Sequence, residues 1–444
     1  MVVARTSFVR RSASLVGLVA LLLVVEVGAP ALGVTQTTRR VSVSSAEEEG
    51  NGQSSGYWGG SISANGRFVI FESSASNLVP GDTNGEQDVF IRDRSMGTTR
   101  RISVSSGEEE ADGGSGHAQI SPDGRFVLFQ SFATDLVGND TNGDEDVFIR
   151  DRQRGTTRRV SLGNSEQEGN NSSTGRSMSP DGRFVAFASD ASNLVGGDTN
   201  FTRDVFVRDR RAGTTRRISV NSAGVEGNGP SQDASISADG RLVTFRSDAT
   251  NLVGGDSNGL SDAFVRDRET GRTRRISLSS AGEQADGDSD DPMISADGKV
   301  IVFYSTASNL VPGDANGVPD VFVRILAART TRIVSVSSAE VKGDAESWDP
   351  AVSATGRYVT FGSLASNLVA IDTNAEHDVF VRDRKLGTTR ILSRTAGGSE
   401  SNGLSYSASI SDDGRFVVFS STATNLISSD SNGVDDVFIR GPLA

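Results

Sequence analysis

Seven segments of the form D-x-N-x-x-x-D recur along this chain at a constant interval of 58 residues, each followed by a short apolar run such as V-F-I-R. In the first segment, Asp82, Asn84 and Asp88 supply side-chain oxygens at relative positions 1, 3 and 7, and Gly85 permits a sharp bend. Hard oxygen ligands on a tight loop suit Ca²⁺. The candidate ligands are Asp82, Asn84, Asp88, Asp140, Asn142, Asp146, Asp256, Asn258, Asp262, Asp430, Asn432 and Asp436. The pattern therefore makes calcium the candidate cofactor.

A purely structural role explains the same residues. Asp82 and Asn84 can close Asx turns, and Asp88 can accept hydrogen bonds from loop amides. The third, fifth and sixth segments depart from the calcium pattern, because Phe201 and Ala375 replace the glycine and Pro319 precedes the last aspartate. Both interpretations stay open at this point.

A second candidate site comes from residues that break the repeat. Trp58 and Trp348 are separated by five periods of 58, and Tyr406 occupies the same repeat position in the seventh segment. The next position holds an acid or a histidine in several repeats: His117, Asp233, Asp291 and Asp349. Aromatic rings beside carboxylates suit a sugar or peptide ligand. The alternative is that the rings fill junctions between repeats.

Signals for catalysis are sparse. The only histidines, His117 and His377, lie in different repeats, and the chain has no cysteine and no G-x-S-x-G motif. Acidic loops supply carboxylate pairs without any catalytic requirement. A binding module is therefore favoured, with a glycosidase or lyase that uses acidic residues as the alternative.

The constant period predicts an array of one supersecondary unit. Each unit holds short runs of strand-forming residues, and an Asp-Gly pair such as Asp181-Gly182 marks a tight hairpin between the first two runs. Two further runs follow, one after the D-x-N segment and one of the form T-T-R-R, and no run has helical periodicity. Four antiparallel strands per unit predict an all-β fold, a seven-bladed β-propeller.

The two ends of the chain complete each other. The seventh unit stops after its third strand, while Thr37 to Val43 provides an unattached T-T-R-R strand at the start. A closed ring follows if this strand completes the last blade. Of the 21 phenylalanines, 18 occupy three equivalent strand positions, which predicts a core of rings between blades.

The segments S-P-D-G-R-F-V-x-F and D-V-F-V-R-D-R-x-x-G-T-T-R-R resemble the WD-like repeats of the TolB-type β-propeller family, over about residues 37–444. The resemblance implies an exported bacterial propeller that binds proteins or other ligands. TolB has a further α/β domain ahead of its propeller that is absent here, so its role in envelope assembly does not carry over.

Residues 1–33 resemble a signal peptide with cleavage near residues 31–33. Arg5, Arg10 and Arg11 precede an apolar run of eleven residues, which is too short to span a bilayer. An uncleaved anchor is the alternative. The expected product is a secreted or cell-envelope protein, extracellular or periplasmic, with no transmembrane segment after cleavage.

The net charge of −13 disfavours nucleic acid as a partner, because phosphates would be repelled. In a propeller, the D-x-N loops and the acidic connections between blades share one face, which the chain would use for function. The sequence thus predicts a secreted, noncatalytic and monomeric propeller. It would bind a protein or a glycan on its acidic loop face, with calcium stabilising the loops.

Overall fold

Short antiparallel strands and tight turns make up residues 36–55 and 61–443, which with residue 1 are the residues that the computed structural model describes. The predicted signal peptide, apart from Met1, and Trp58 lie outside the described residues. In the part of the chain described, no helix has the length and apolarity needed to cross a membrane.

The strands form seven antiparallel sheets, the blades, numbered here in chain order. From the inner to the outer strand they are Ser54–Ser55 with Ser61–Ile62, Phe68–Ser73, Asp88–Asp93 and Thr98–Arg101 in blade 1; Ser115–Ile120, Phe126–Ser131, Asp146–Asp151 and Thr156–Arg159 in blade 2; Ser173–Met178, Phe184–Ser189, Asp204–Asp209 and Thr214–Arg217 in blade 3; Ser231–Ile236, Leu242–Ser247, Asp262–Asp267 and Arg272–Arg275 in blade 4. They continue as Ser289–Ile294, Val300–Ser305, Asp320–Ile325 and Thr330–Ile333 in blade 5; Ser347–Val352, Tyr358–Ser363, Asp378–Asp383 and Thr388–Ile391 in blade 6; and Ser405–Ile410, Val417–Ser421, Asp436–Gly441 and Thr37–Arg40 in blade 7. Neighbouring inner strands contact one another around the ring, which confirms the seven-bladed propeller.

The N-terminal strand closes the ring as the sequence predicts. Thr37 pairs with Gly441 and Arg40 with Phe438, in the register that the outer strands of the other blades adopt. Beyond the strand, the Val41 amide donates to the Val437 carbonyl at 2.8 Å. The seventh blade therefore contains both ends of the propeller.

Stacked phenylalanine pairs form the core of every blade. Phe71 and Phe90 lie on adjacent strands with ring centroids 5.7 Å apart, and both rings are fully buried. The six other blades repeat this pair at centroid distances of 5.6 to 6.0 Å. Burying one such ring contributes about 1.5–3 kcal/mol, so the repeated pair supplies much of the cohesion that the low hydrophobic content must provide.

The Asp-Gly turns join neighbouring blades as well as neighbouring strands. Gly124 has a φ of 76°, and a Cβ at this position would overlap the ring of Phe68 from the preceding blade. Only glycine meets both requirements without strain. The turn residue is thus fixed by packing between blades.

The inner strand of blade 1 carries three extra residues. Ser54 pairs with Ser73 and Ser61 with Ile70, whereas in blade 2 the matching pairs are Ser115 with Ser131 and Gln119 with Leu128. Six residues therefore separate the two pairs in blade 1, and three separate them in blade 2. Ser55 holds in blade 1 the strand position that Trp348 holds in blade 6. Because Trp58 lies outside the described residues, its predicted place beside Trp348 stays a prediction.

Candidate functional site

A cavity of about 290 Å³ lies in the central channel, and inner strands from all seven blades line it. Its charged lining includes Arg176, Asp233, Asp291 and Asp349. Arg203, which immediately precedes a third strand, also lines it. Since the D-x-N loops lead into the third strands, the cavity extends toward the face that carries these loops.

A bulge in the inner strand presents residues to this cavity. The pairing register shifts in the inner strands of blades 2 to 7. In blades 2 and 4 to 7 the bulged residue has a positive φ although it is not glycine, with values of 49° to 57°. These residues are His117, Asp233, Asp291, Asp349 and Ser407. A left-handed residue of this kind costs about 1–2 kcal/mol, and such strain concentrates at functional sites.

Arg176 is the electrostatic centre of the cavity. One of its terminal nitrogens lies 2.5 Å from Asp233 Oδ1 and 2.8 Å from Asp291 Oδ1, so residues from three blades meet there. Asp349, from a fourth blade, adds a further carboxylate in the electrostatic range of the guanidinium. Three aspartates surround Arg176, and Arg203 pairs with Asp190, so the cavity is acidic around Arg176.

Burial changes the protonation of these groups. Burial and the neighbouring Asp291 carboxylate, opposed by the charge of Arg176, raise the pKa of Asp349 to about 6. The pKa of Asp291 is raised as well, chiefly by burial. Burial, with the charge of Arg176 added, lowers the pKa of His117 to about 4, so this imidazole is neutral at pH 7. The cavity therefore holds groups that exchange protons near neutrality.

The raised pKa of Asp349 predicts a stability gain in Asp349→Asn. The folded chain binds a proton at Asp349 more tightly than the unfolded chain, so ionisation of this group destabilises the fold as pH rises from 4 to above 6. At pH 7 the variant should have a free energy of unfolding higher by about 1–2 kcal/mol. Urea titrations at pH 7 and pH 4 measure this, and the gain should vanish at pH 4. A gain equal at both values would contradict the assignment.

The structure separates the predicted binding residues into two groups. His117, Asp233, Asp291 and Asp349 line one cavity. The predicted aromatic residues Trp348 and Tyr406 are not in its lining. Trp348 stacks on His377 at 4.7 Å between ring centroids, and the Tyr406 hydroxyl donates to Asp435 at 2.5 Å. Both rings thus have partners within their own blades, and neither a ligand contact nor the filling of a blade junction is tested by these contacts.

Sequence reasoning missed Arg176. Counted in periods of 58, its position holds alanine or proline in five other units: Ala118, Ala234, Pro292, Pro350 and Ala408. A single charged residue at an otherwise small position was the available signal. Its role becomes clear only when the ring places it against acids from the next blades.

In five of the seven blades, the D-x-N segment lies against a buried arginine. Arg101, at the end of the outer strand, lies 3.3 Å from Asp82 and 3.4 Å from Asp88, and it also pairs with Glu110. The side-chain oxygen Oδ1 of Asn84 accepts a hydrogen bond from the Glu86 backbone amide at 3.0 Å, which closes an Asx turn. The equivalent arginines are Arg159, Arg217, Arg275 and Arg40. The side chains of these arginines are largely buried.

Three of these clusters have the acid geometry of a cation site. Carboxylate oxygens of Asp82, Asp88 and Glu110 lie within 4.8 Å of one another, and blades 2 and 7 repeat the arrangement. The guanidinium already supplies a positive charge there, so Ca²⁺ would compete with it. Calcium binding by the predicted aspartates and asparagines stays a prediction.

Comparison with known proteins finds solved structures with a similar fold. No protein-family model and no curated protein matches the chain. An oligogalacturonate lyase from Vibrio parahaemolyticus matches with 12% identity and a TM-score of 0.52, over 92% of this chain and 97% of that one. A prolyl endopeptidase matches with 12% identity and a TM-score of 0.52, over 88% of this chain and 50% of that one. A putative TolB from Agrobacterium tumefaciens has 16% identity and a TM-score of 0.40, over 78% and 95%.

At these identities the likenesses show the fold alone, and they carry no activity or ligand to this chain. The blade count, the strand order and the closure by the N-terminal strand agree with the repeat motifs on which the family resemblance rests. The chain has the fold of a seven-bladed β-propeller.

Proposed function

We propose that this protein is an exported, noncatalytic binding module that takes a polar group of a protein or glycan ligand into the central cavity. The observation that carries the proposal is the cavity itself, where Arg176 and three aspartates converge from four blades. A small number of polar groups that converge in one concave site is typical of a ligand pocket. The acidic D-x-N face would form the surrounding contact surface.

The charge of the cavity favours a neutral or positively charged group. Arg176 already pairs with Asp233 and Asp291, which leaves Asp349 available to accept hydrogen bonds from a ligand. The net charge of −13 also repels a polyanion from the whole surface. Hydroxyl and amine groups of a sugar, or a lysine side chain of a protein, meet these conditions.

Binding to defined ligands tests the proposal. Neutral, amino-sugar and uronic-acid oligosaccharides and a panel of purified envelope proteins would be screened by calorimetry. Asp349→Asn and Asp291→Asn should weaken binding of any ligand found by about tenfold or more, because each removes a charged acceptor. Asp412→Asn is the matched control, since Asp412 lies in the hairpin turn on the opposite face of blade 7. Equal loss in the control, or no loss in the cavity variants, would contradict the proposal.

An enzyme is the second candidate, and the raised pKa of Asp349 favours it. A carboxyl group with a pKa of about 6 beside a second buried acid can act as a general acid or base in glycoside cleavage or elimination. Incubation with a polysaccharide panel distinguishes the two candidates. Turnover that disappears in Asp349→Asn would establish a glycosidase or lyase, and binding without turnover would establish the module.

The proposal places the protein outside the cytoplasm or in the cell envelope as a monomer. The export signal suggested by residues 1–33 supports this location. Calcium bound by the D-x-N loops is part of the proposal only as a stabiliser of the face, separate from the cavity.

A further inference from the structure

An ion pair recurs across the outer junctions between blades. In each case an arginine of the third strand reaches back to a glutamate in the connection that follows the preceding blade. The pairs are Arg92 with Glu47, Arg150 with Glu108, Arg208 with Glu166 and Arg382 with Glu340. Each glutamate has a φ between 58° and 64°. At each of these junctions, a glutamate with a strained backbone therefore balances the positive charge of a buried arginine.

Three junctions lack the glutamate. Gly224, Gly282 and Gly398 occupy its position, with φ values of 84°, 90° and 88°. The arginines opposite them are Arg266, Arg324 and Arg440. At the junction of blades 4 and 5, Arg324 is buried and donates to the Leu278 and Ser279 carbonyls at 2.9 and 3.0 Å. It keeps its backbone contacts and loses its countercharge.

The junction of blades 4 and 5 differs from the other two by gaining arginines. Arg329 stands in a turn where five other blades have glycine, and it adopts a φ of 54°. Arg272 begins the outer strand of blade 4, where the outer strands of the other blades begin with threonine. Arg274 lies between them in the same region. Two departures from the repeat, Arg329 and Arg272, thus add positive charge beside Arg274, which is the usual residue of the repeat.

These arginines line an outer groove of about 680 Å³. Among the described residues, Arg272, Arg274, Arg324 and Arg329 form no ion pair with a carboxylate. Burial and the charge of Arg329 lower the pKa of Arg324, and burial and the charge of Arg272 lower that of Arg274. The negative charge of Asp267 raises the pKa of Arg274 and so opposes this lowering. The same carboxylate, however, already accepts hydrogen bonds from two nitrogens of Arg241. The groove is therefore a cationic site on an acidic protein.

We propose that this outer groove binds a compact oxyanion, a phosphate or sulfate group that is either free or carried as a monoester on a sugar. Guanidinium forks match the oxygen geometry of such groups, and a partly buried cluster of them strengthens each charge-assisted hydrogen bond. The net charge of −13 limits the ligand to a compact anion, because an extended polyanion would meet repulsion beyond the groove. This site is separate from the central cavity and does not depend on the function proposed for it.

The test restores residues of the repeat, so the variants are expected to fold. Gly282→Glu returns the missing countercharge to Arg324, and a Cβ at Gly282 meets open space. The positive φ of 90° adds backbone strain of about 1–2 kcal/mol, which the control below shares. Arg329→Gly returns the turn glycine. Gly224→Glu is the matched control, because it makes the same change at the junction of blades 3 and 4, where a Cβ also meets open space.

Calorimetry at low ionic strength with inorganic phosphate, inorganic sulfate and glucose 6-sulfate measures the affinities. We expect the intact chain to bind at least one of these anions, and we expect Gly282→Glu and Arg329→Gly each to weaken binding by about tenfold or more. Gly224→Glu should leave the affinity unchanged. Preference for glucose 6-sulfate over both inorganic ions would identify a sugar monoester as the ligand, and equal affinities would identify the free ion.

Two results would overturn the assignment. One is the absence of binding by the intact chain to all three anions at millimolar concentration. The other is an affinity that Gly282→Glu reduces no more than Gly224→Glu does, which would mean that general charge and not this groove controls binding. Melting temperatures of all variants verify that each one is folded.

Discussion

A chain that begins at residue 45 instead of residue 36 should lose on the order of 5 kcal/mol or more of its free energy of unfolding, a large part of the stability of a typical domain. The deletion removes Thr37–Arg40 from the edge of blade 7 and the buried Val41 from its junction with blade 1. It also removes Arg40, which lies 2.9 Å from the fully buried Asp436. An exposed strand edge and an unpaired buried carboxylate both follow.

Urea unfolding followed by circular dichroism measures this loss. Arg39→Ala is the control within the same strand, because Arg39 is exposed and its removal leaves the backbone pairing intact. A peptide of residues 36–44 added in excess should restore part of the stability, since it binds the folded state alone. If the shortened chain unfolds at the same urea concentration as the intact one, closure by the N-terminal strand contributes nothing.

The closure could be predicted from the sequence because it depends on a count of strands. The T-T-R-R motif at Thr37 and the missing fourth strand after Arg440 complement each other without any knowledge of side-chain packing. The phenylalanine positions were predictable for a similar reason, since a residue repeated at one strand height faces the same neighbour in each blade. Period and strand order are one-dimensional properties, and a propeller largely follows from them.

The candidate site depends on contacts that the period hides. The three extra residues in blade 1 leave the later spacing unchanged, so equal intervals match Trp58 to Trp348, whereas the strand pairing gives Ser55 the position of Trp348. His117, Asp233, Asp291 and Asp349 could be grouped by position, but the bulge that turns them into the channel has no sequence signature of its own. Burial of the outer-strand arginines also has no signal in the sequence, because strand alternation alone does not show that a neighbouring blade covers them.

Arg176→Met should lower the free energy of unfolding at pH 7 by about 3 kcal/mol, because it leaves Asp291 as a buried and uncompensated charge. Only 4% of Asp291 is exposed, whereas methionine keeps much of the volume of the arginine. The pKa of Asp291 is already raised by burial, and the loss of Arg176 would raise it further. The folded variant would then bind protons that the unfolded chain releases, so its deficit should shrink as pH falls from 7 to 5.

Two further variants show whether the stability lost in Arg176→Met comes from the central cavity. Arg203→Met is the control, since Arg203 pairs with the more exposed Asp190 at 3.3 Å and should cost about 1 kcal/mol or less. Asp291→Asn in the Arg176→Met background should recover most of the lost stability and remove most of the pH dependence, because it deletes the charge that the arginine compensates. A deficit in Arg176→Met that matches the control and stays constant from pH 7 to pH 5 would show that Arg176 does not hold these carboxylates together. The acidic cavity would then lack the charge pairing from which its ligand preference is argued.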